Sequence, residues 1–306
     1  MSPTQLITRK LGVTEGEIVH LDEVAPESRN KIWRGEIEGW EQGVYLKVQG
    51  GERFSRSVAE EAEVLEMLRA SSFSQVPRLL AHGTIGAGAS YLLCEECAGC
   101  PLQDHLARIG SSVLDSLFEQ VLNWLHCLQD SDRLRRVLEG RSYLGVYQKD
   151  FDPVEHAYQL CSKLEGRLDD ASQRKMSALL ERFSPGQVPP THADVVHGSL
   201  TPLNLLVDRS GTSSDPDTLT GVLDFEATRL GSPAYDLANM AFCLLVRNRP
   251  VIAKQWLSAC NEHFGTRRIV AQAVPFLVHF YLMRRENEVG GLPPADEFIT
   301  FLMRVT

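Results

Sequence analysis

"VVHGSLTPLNLLVD", running from Val195 to Asp208, decides how the rest of this chain is read. A His-Gly pair, His197 and Gly198, is followed by Ser199 and then, seven residues after the His, by Asn204. The apolar run Leu205–Val207 comes next, and sixteen residues past Asp208 stands Asp224, inside "GVLDFE". "NLLVD" and "TGVLDFE" are short β-rich runs joined by the polar, turn-rich "DRSGTSSDPDTLTG". That pattern predicts a hairpin presenting polar side chains at one edge. Asn204 precedes its first strand and Asp224 ends its second. An amide oxygen and a carboxylate converging there make a hard oxygen site suited to Mg²⁺, which usually takes its other ligands from water and nucleotide phosphates.

The other half of a nucleotide site lies upstream. Lys47 sits mid-strand in "YLKVQ", where an apolar run makes a Lys unexpected. Together with Asn204 and Asp224, it reads as a group facing phosphates. The helical stretch "SVAEEAEVLEMLRAS" offers Glu60, Glu61 and Glu63 as ion-pair partners for it, and spacing does not choose among the three.

Around these residues the chain changes character near residue 97. "KIWRGEIEG" and "GVYLKVQ" alternate apolar and polar residues about a Gly-containing turn and predict a hairpin. "VPRLLAHGTI" and "SYLLCEE" predict two more strands. The first ~95 residues thus read as strand-rich with one helix, Val58, Ala62, Leu65 and Leu68 forming its apolar face. Beyond them the pattern is helical. "VLDSLFEQVLNWLHCLQD" carries Leu114, Leu117, Val121, Leu125 and Leu128 as one stripe, and "DPVEHAYQLCSKLEGRLDDASQRKMSALLERF" reads as one or two amphipathic helices. This divides the chain into residues 1–97 and 98–306.

Composition narrows the class. The 306 residues are 43% hydrophobic and 23% charged, ordinary for a globular protein with a sizeable core. The net charge of −9 argues against a nucleic-acid or anionic-membrane partner, since both need a positive field. No apolar run is long enough to span a bilayer, and the N-terminus has no charged-then-apolar leader pattern. The expected location is the cytoplasm, where the seven cysteines stay reduced. Cys94, Cys97 and Cys100 in "LLCEECAGC" have no second Cys pair at zinc spacing and read as small apolar residues ending a buried strand.

These motifs resemble the aminoglycoside phosphotransferase and choline kinase-like family, a branch of the protein-kinase-like fold. The family's H-G-D-x-x-x-x-N loop is similar to "HGSLTPLN", its metal motif to "LDFE", and its "GDPAYDLA" to "GSPAYDLA", Gly231 to Ala238. "YLKV", "EAEVLEML", "VPRLLAHG", "YLLCEECAGCPL" and "WLHCLQD" match more loosely, so the likeness runs from about Ser28 to Ala238. It implies an α+β fold of two lobes, a small β-rich one over a larger helical one, with ATP and Mg²⁺ as cofactors. Lys47 would hold the α- and β-phosphates and Glu61 would orient it. Glu95 and Cys97 would offer backbone hydrogen bonds to adenine. Asn204 and Asp224 would hold the metal, and Asp236 would brace the loop of His197. "PESRNKIW", with Ser28 and Asn30, would cover the phosphates, though it lacks the Gly that close backbone approach favours.

The candidate catalytic residues are then His197, Ser199 and Asp224. Ser199 stands where the family has the Asp that accepts or orients the acceptor hydroxyl's proton, and Ser232 stands where it often has another Asp. A serine hydroxyl donates and accepts hydrogen bonds but is no base at neutral pH. Three readings follow. The first is a kinase acting on a hydroxyl of a small molecule or peptide, its base supplied by Asp194, Glu226, the substrate or a partner protein. The second is a nucleotide-binding pseudokinase that serves as a scaffold or partner subunit. The third is a different reaction at the same metal-nucleotide pocket. The acceptor would lie in the helical lobe, where Asp150, Asp152, Glu155, Glu262, Glu286 and Glu288 would favour a cationic one if clustered.

Overall fold

A computed structural model of the protein describes residues 1–24, 30–49, 58–71, 73–86, 88–141, 152–164, 166–183, 194–208, 217–264, 267–287 and 290–305. The chain divides into two compact units, Met1–Asp104 with Leu203–Thr228, and His105–Pro202 with Arg229–Thr306.

The first unit is built on a five-stranded antiparallel sheet. Its strands are β1 (Ile18–Glu23), β2 (Lys31–Ile37), β3 (Val44–Val48), β4 (Leu79–Ile85) and β5 (Ala89–Glu95), in the order β1-β2-β3-β5-β4. The expected hairpin is β2–β3, with Ile32 opposite Lys47 and Arg34 opposite Tyr45. Strand alternation sends Val44 and Leu46 to one face, where they join Ile37, Tyr91 and Leu93 in a core with Leu6 and Ile7. Those last two come from helix α1 (Pro3–Leu11), which the sequence reading did not foresee. Its signals are nonetheless present: Ser2 and Gln5 form a capping box, Pro3 opens the first turn, and Gly12 closes the helix at φ 71°. Tyr45 and Lys47 fall on the opposite face, where α2 (Val58–Ala70) packs through Val58, Ala62, Leu65 and Leu68.

The motif hairpin belongs to this first unit, not to the helices that flank it in sequence. Strand β6 (Cys100–Pro101) pairs with Leu205–Val207, which pairs in turn with Leu219–Val222. The Val222 amide also donates to the Gln75 carbonyl at 2.7 Å. Such long-range pairings are invisible to a reading by composition, which set the boundary at residue 97. Of the three evenly spaced cysteines, Cys94 is buried in β5 and Cys97 and Cys100 are half-buried. Burial pushes the Cys97 thiol up to about 11.

The second unit is helical, and short helix α3 (Leu102–His105) leads into it. Helix α4 (Ser111–Gln129) buries the whole predicted stripe, with Phe118, Leu122 and Trp124 added. Helix α5 (Asp132–Glu139) follows. "DPVEHAYQ…" forms two helices, α6 (Pro153–Lys163) and α7 (Asp170–Leu180), because Gly166 turns at φ 80° and Asp169 caps the second. Strand β7 (Asp194–Val196) precedes the motif strands, which are β8 (Leu205–Val207) and β9 (Leu219–Val222). Strand β10 (Arg229–Gly231) pairs antiparallel with β7. Helices α8 (Ala234–Val246), α9 (Pro250–His263), α10 (Arg267–Glu286) and α11 (Ala295–Val305) complete the unit. Helix α10 packs on both α6 and α8. No helix among the described residues is long and apolar enough to cross a membrane.

Candidate active site

In the first unit, β8 and β9 bring the two ends of the hairpin together. The Leu223 amide donates to the Asn204 carbonyl at 2.8 Å, and the Asn204 Nδ2 donates to Asp224 Oδ2 at 3.4 Å. Asp224 is held at φ 68°, ψ 70°, a left-handed conformation that costs a non-glycine residue roughly 1–3 kcal/mol. The amides on either side of it are tied, Leu223 to the Asn204 carbonyl and Phe225 to Glu61 Oε1.

Lys47 lies among three carboxylates. Its Nζ is 2.8 Å from Glu61 Oε2, 2.9 Å from Glu226 Oε2 and 3.2 Å from Asp224 Oδ1. The geometry selects Glu61 on α2 from the three acids that spacing left open. Glu61 Oε1 also accepts the Phe225 amide at 3.1 Å, tying α2 to the residue after Asp224. Burial works against the Lys47 charge, yet Glu61, Asp224 and Glu226 together hold its pKa above the ordinary value. Burial raises Glu61; Lys47 offsets this, and Asp224 and Glu226 add to the rise. Three carboxylates thus face the one ammonium. Carboxylate oxygens of Glu61, Asp224 and Glu226 all lie within 4.8 Å of one another. With the Asn204 amide at Asp224, this donor set fits a hard divalent cation.

Asn30 is buried and donates from Nδ2 to Glu226 Oε2 at 2.8 Å, so it joins the carboxylate cluster. Ser28 lies outside the described residues. Glu95 ends β5, where its amide donates to the Arg78 carbonyl at 2.9 Å. Cys97 follows, close enough to Gly221 that a Cβ there would come within 3.2 Å of its own. Glu226 was weighed from the sequence as a substitute base beside Asp224; its contact with Lys47 was not foreseen.

In the second unit, Asp236 clamps the His197 loop. Its Oδ2 accepts the His197 amide at 2.7 Å and its Oδ1 accepts the Gly198 amide at 2.8 Å. Burial raises the Asp236 pKa, while His197, the Gly198 amide and Arg229 oppose the rise. Arg229 is itself buried, with its guanidinium 4.1 Å from the centre of the Tyr235 ring. Gly198 turns at φ 80°. His197 is fully buried, its ring edge-on to Trp124, and its Nδ1 accepts the Ser199 amide at 3.2 Å. His197 therefore positions Ser199 through the backbone and is shielded from solvent.

The proposed alternative bases differ in their ties. Asp194 is held by Arg135 at 3.2 Å, whereas Glu226 faces Lys47. Ser232 Oγ is buried and makes no hydrogen bond among the described residues. The acids considered for an acceptor are scattered. Asp152 caps α6, Glu155 and Glu262 are exposed, and Glu286 meets Lys163 at 3.6 Å; Asp150 and Glu288 lie outside the described residues.

A family model described as "Phosphotransferase enzyme family" matches residues 32–267. The chain belongs to this family. Solved structures share its fold at low identity. The GDP and kanamycin complex of APH(2")-IIia aligns with a TM-score of 0.69 and 16% identity, covering 99% of this chain and 97% of that one. A thermostable mutant of aminoglycoside phosphotransferase APH(4)-Ia, in ternary complex with AMP-PNP and hygromycin B, aligns at 0.64 and 14%, covering 99% and 97%. The streptomycin-ATP-APH(2")-IIa ternary complex aligns at 0.57 and 13%, covering 98% and 94%. No curated protein matches. The fold of this phosphotransferase-family chain is thus the kinase-like one of the aminoglycoside phosphotransferases, with its antiparallel sheet and its larger helical part.

Proposed function

We propose that this protein is an ATP- and Mg²⁺-dependent phosphotransferase that moves a γ-phosphoryl group to a hydroxyl of a small, antibiotic-like molecule or of a peptide. The observation that carries this reading is the Lys47 cluster. A buried lysine held by Glu61, beside Asp224 and its Asn204 amide, is a phosphate-and-metal arrangement that a merely structural salt bridge does not need. Lys47 would bind the nucleotide phosphates, with Glu61 keeping its ammonium in place. Asp224 and Asn204 would hold Mg²⁺, with Glu226 adding negative charge beside them. The metal would neutralise charge developing on the phosphates. Ser199, set by the Asp236 clamp, would hydrogen-bond the acceptor hydroxyl.

What Ser199 does not supply is a base. A general base contributes about 10²- to 10⁴-fold, and phosphoryl transfer through a loose transition state needs little early proton removal. The expected enzyme is slow, not dead. The same substitution favours a second reading, a pseudokinase that binds nucleotide and completes a partner.

Single-turnover transfer from labelled ATP, measured across aminoglycoside and Ser/Thr-peptide acceptors, tests the proposal. Wild-type protein should transfer slowly to one acceptor class, and Ser199→Asp should raise that rate by about 10²-fold. Nucleotide binding with no transfer by either protein to any acceptor would favour the pseudokinase.

A further inference from the structure

In the first unit, three carboxylate oxygens stand within 3.2 Å of Lys47 Nζ, from Glu61, Glu226 and Asp224. An ammonium has three N–H groups to give. A phosphate oxygen that reaches Nζ therefore competes with a carboxylate already there. The Lys47 side chain is only 12% exposed, so solvent screens this competition weakly.

The three carboxylates are held differently. Glu61 is tied at both oxygens, Oε2 to Lys47 at 2.8 Å and Oε1 to the Phe225 amide at 3.1 Å. Asp224 has a shorter side chain, its backbone is held at φ 68°, and its Oδ2 accepts from Asn204 Nδ2 at 3.4 Å. Glu226 meets its two partners through a single oxygen. Its Oε2 lies 2.9 Å from Lys47 Nζ and accepts from Asn30 Nδ2 at 2.8 Å. A carboxylate anchored at one oxygen, on a longer side chain, can leave Lys47 by side-chain rotation alone. The Asn30 that holds it is buried and directly precedes β2.

A buried lysine needs one carboxylate to balance it, and Glu61 supplies that one. Glu226 adds a negative charge that a phosphate meets as repulsion. A metal-free triphosphate brings its full charge to this cluster, and a metal-bound one brings less.

Taking Lys47 as the phosphate-binding lysine proposed above, we propose that Glu226 is the residue that discriminates against metal-free nucleotide. It occupies Lys47 and yields it to a phosphate whose charge a cation has partly neutralised. Asn30 is its positioning residue, holding the carboxylate on Lys47.

Titration calorimetry of the full chain tests this, with ATP in Mg²⁺ and ATP in EDTA at matched ionic strength. The wild type should bind ATP in Mg²⁺ and far more weakly in EDTA. Glu226→Gln keeps the shape and removes the charge, and it should raise the affinity in EDTA about tenfold. Asn30→Ala should raise it by less, and should add nothing in the Glu226→Gln background, because it acts through that carboxylate. An Asn30 with a merely structural role would lower the affinity in both backgrounds, and that result would strike it from the proposal. If Glu226→Gln does not fold, Asn30→Ala decides, a rise in EDTA supporting the proposal and no rise opposing it. An EDTA affinity unchanged or lowered by Glu226→Gln, in a protein of wild-type melting temperature that still binds ATP in Mg²⁺, would overturn the proposal and leave Lys47 in its role. No binding of ATP in Mg²⁺ by the wild type would overturn the role of Lys47 and the proposal with it.

Discussion

At the scale of the residue, the reading of this chain turns on a few side chains whose surroundings the sequence does not state. Gly198 is one whose role is purely conformational. At φ 80° it lets Asp236 accept two successive amides, and an L side chain in that region costs about 1–2 kcal/mol. Gly198→Ala should therefore lower the melting temperature, while Gly140→Ala, at φ −82° with open space around it, should leave it unchanged or raise it slightly. Equal melting temperatures for the two variants would remove the clamp from the account. Lys47, Asn204 and Asp224 were legible because each breaks a local pattern, a lysine in an apolar strand or a polar residue at a hairpin end. The contact of Glu226 with Lys47 and the burial of Arg229 were not foreseen. Spacing gives no sign that Glu226 reaches Lys47, and one arginine beside a short strand looks like any exposed cation until β10 pairs with β7.

At the scale of the element, apolar periodicity carried the helices well. The α4 stripe of Leu114, Leu117, Val121, Leu125 and Leu128 is buried throughout. Helix α1 escaped because its stripe is short and its evidence is a cap. The packing of α6 on α10 holds something no periodicity reveals, His156 Nδ1 lying 3.2 Å from His279 Nδ1. Burial, with His156 adding to it, lowers the His279 pKa from 6.5 to about 3. The unfolded chain then takes up a proton that the folded chain refuses between those values. Stability is fully present above pH 6.5 and falls as the pH drops toward 3, by at most about 1.4 kcal/mol per pH unit from this group. Melting curves across that range should show His279→Gln losing less stability on acidification than the wild type. Parallel loss in both would mean that His279 titrates normally in the fold.

At the scale of the whole molecule, the mixed fold was foreseen, an antiparallel sheet near the N-terminus and a larger helical part. The division at residue 97 was read from composition alone. Residues Leu203–Thr228 return to the first unit through pairing with β6 and the contact of Glu61 with the Phe225 amide, and long-range hydrogen bonds leave no trace in local composition. The consequence is functional. The groups that would bind metal and phosphate form one cluster within one unit, while Ser199 and its clamp are built in the other. Nucleotide binding and acceptor activation should accordingly separate by mutation. The most direct measurement is titration calorimetry with ATP, with and without Mg²⁺, on the wild type and on Asp224→Ala. The account predicts binding that requires Mg²⁺ and that Asp224→Ala abolishes, with Ser199→Asp leaving it intact. Equal affinity with and without Mg²⁺, or an affinity unchanged in Asp224→Ala, would contradict it.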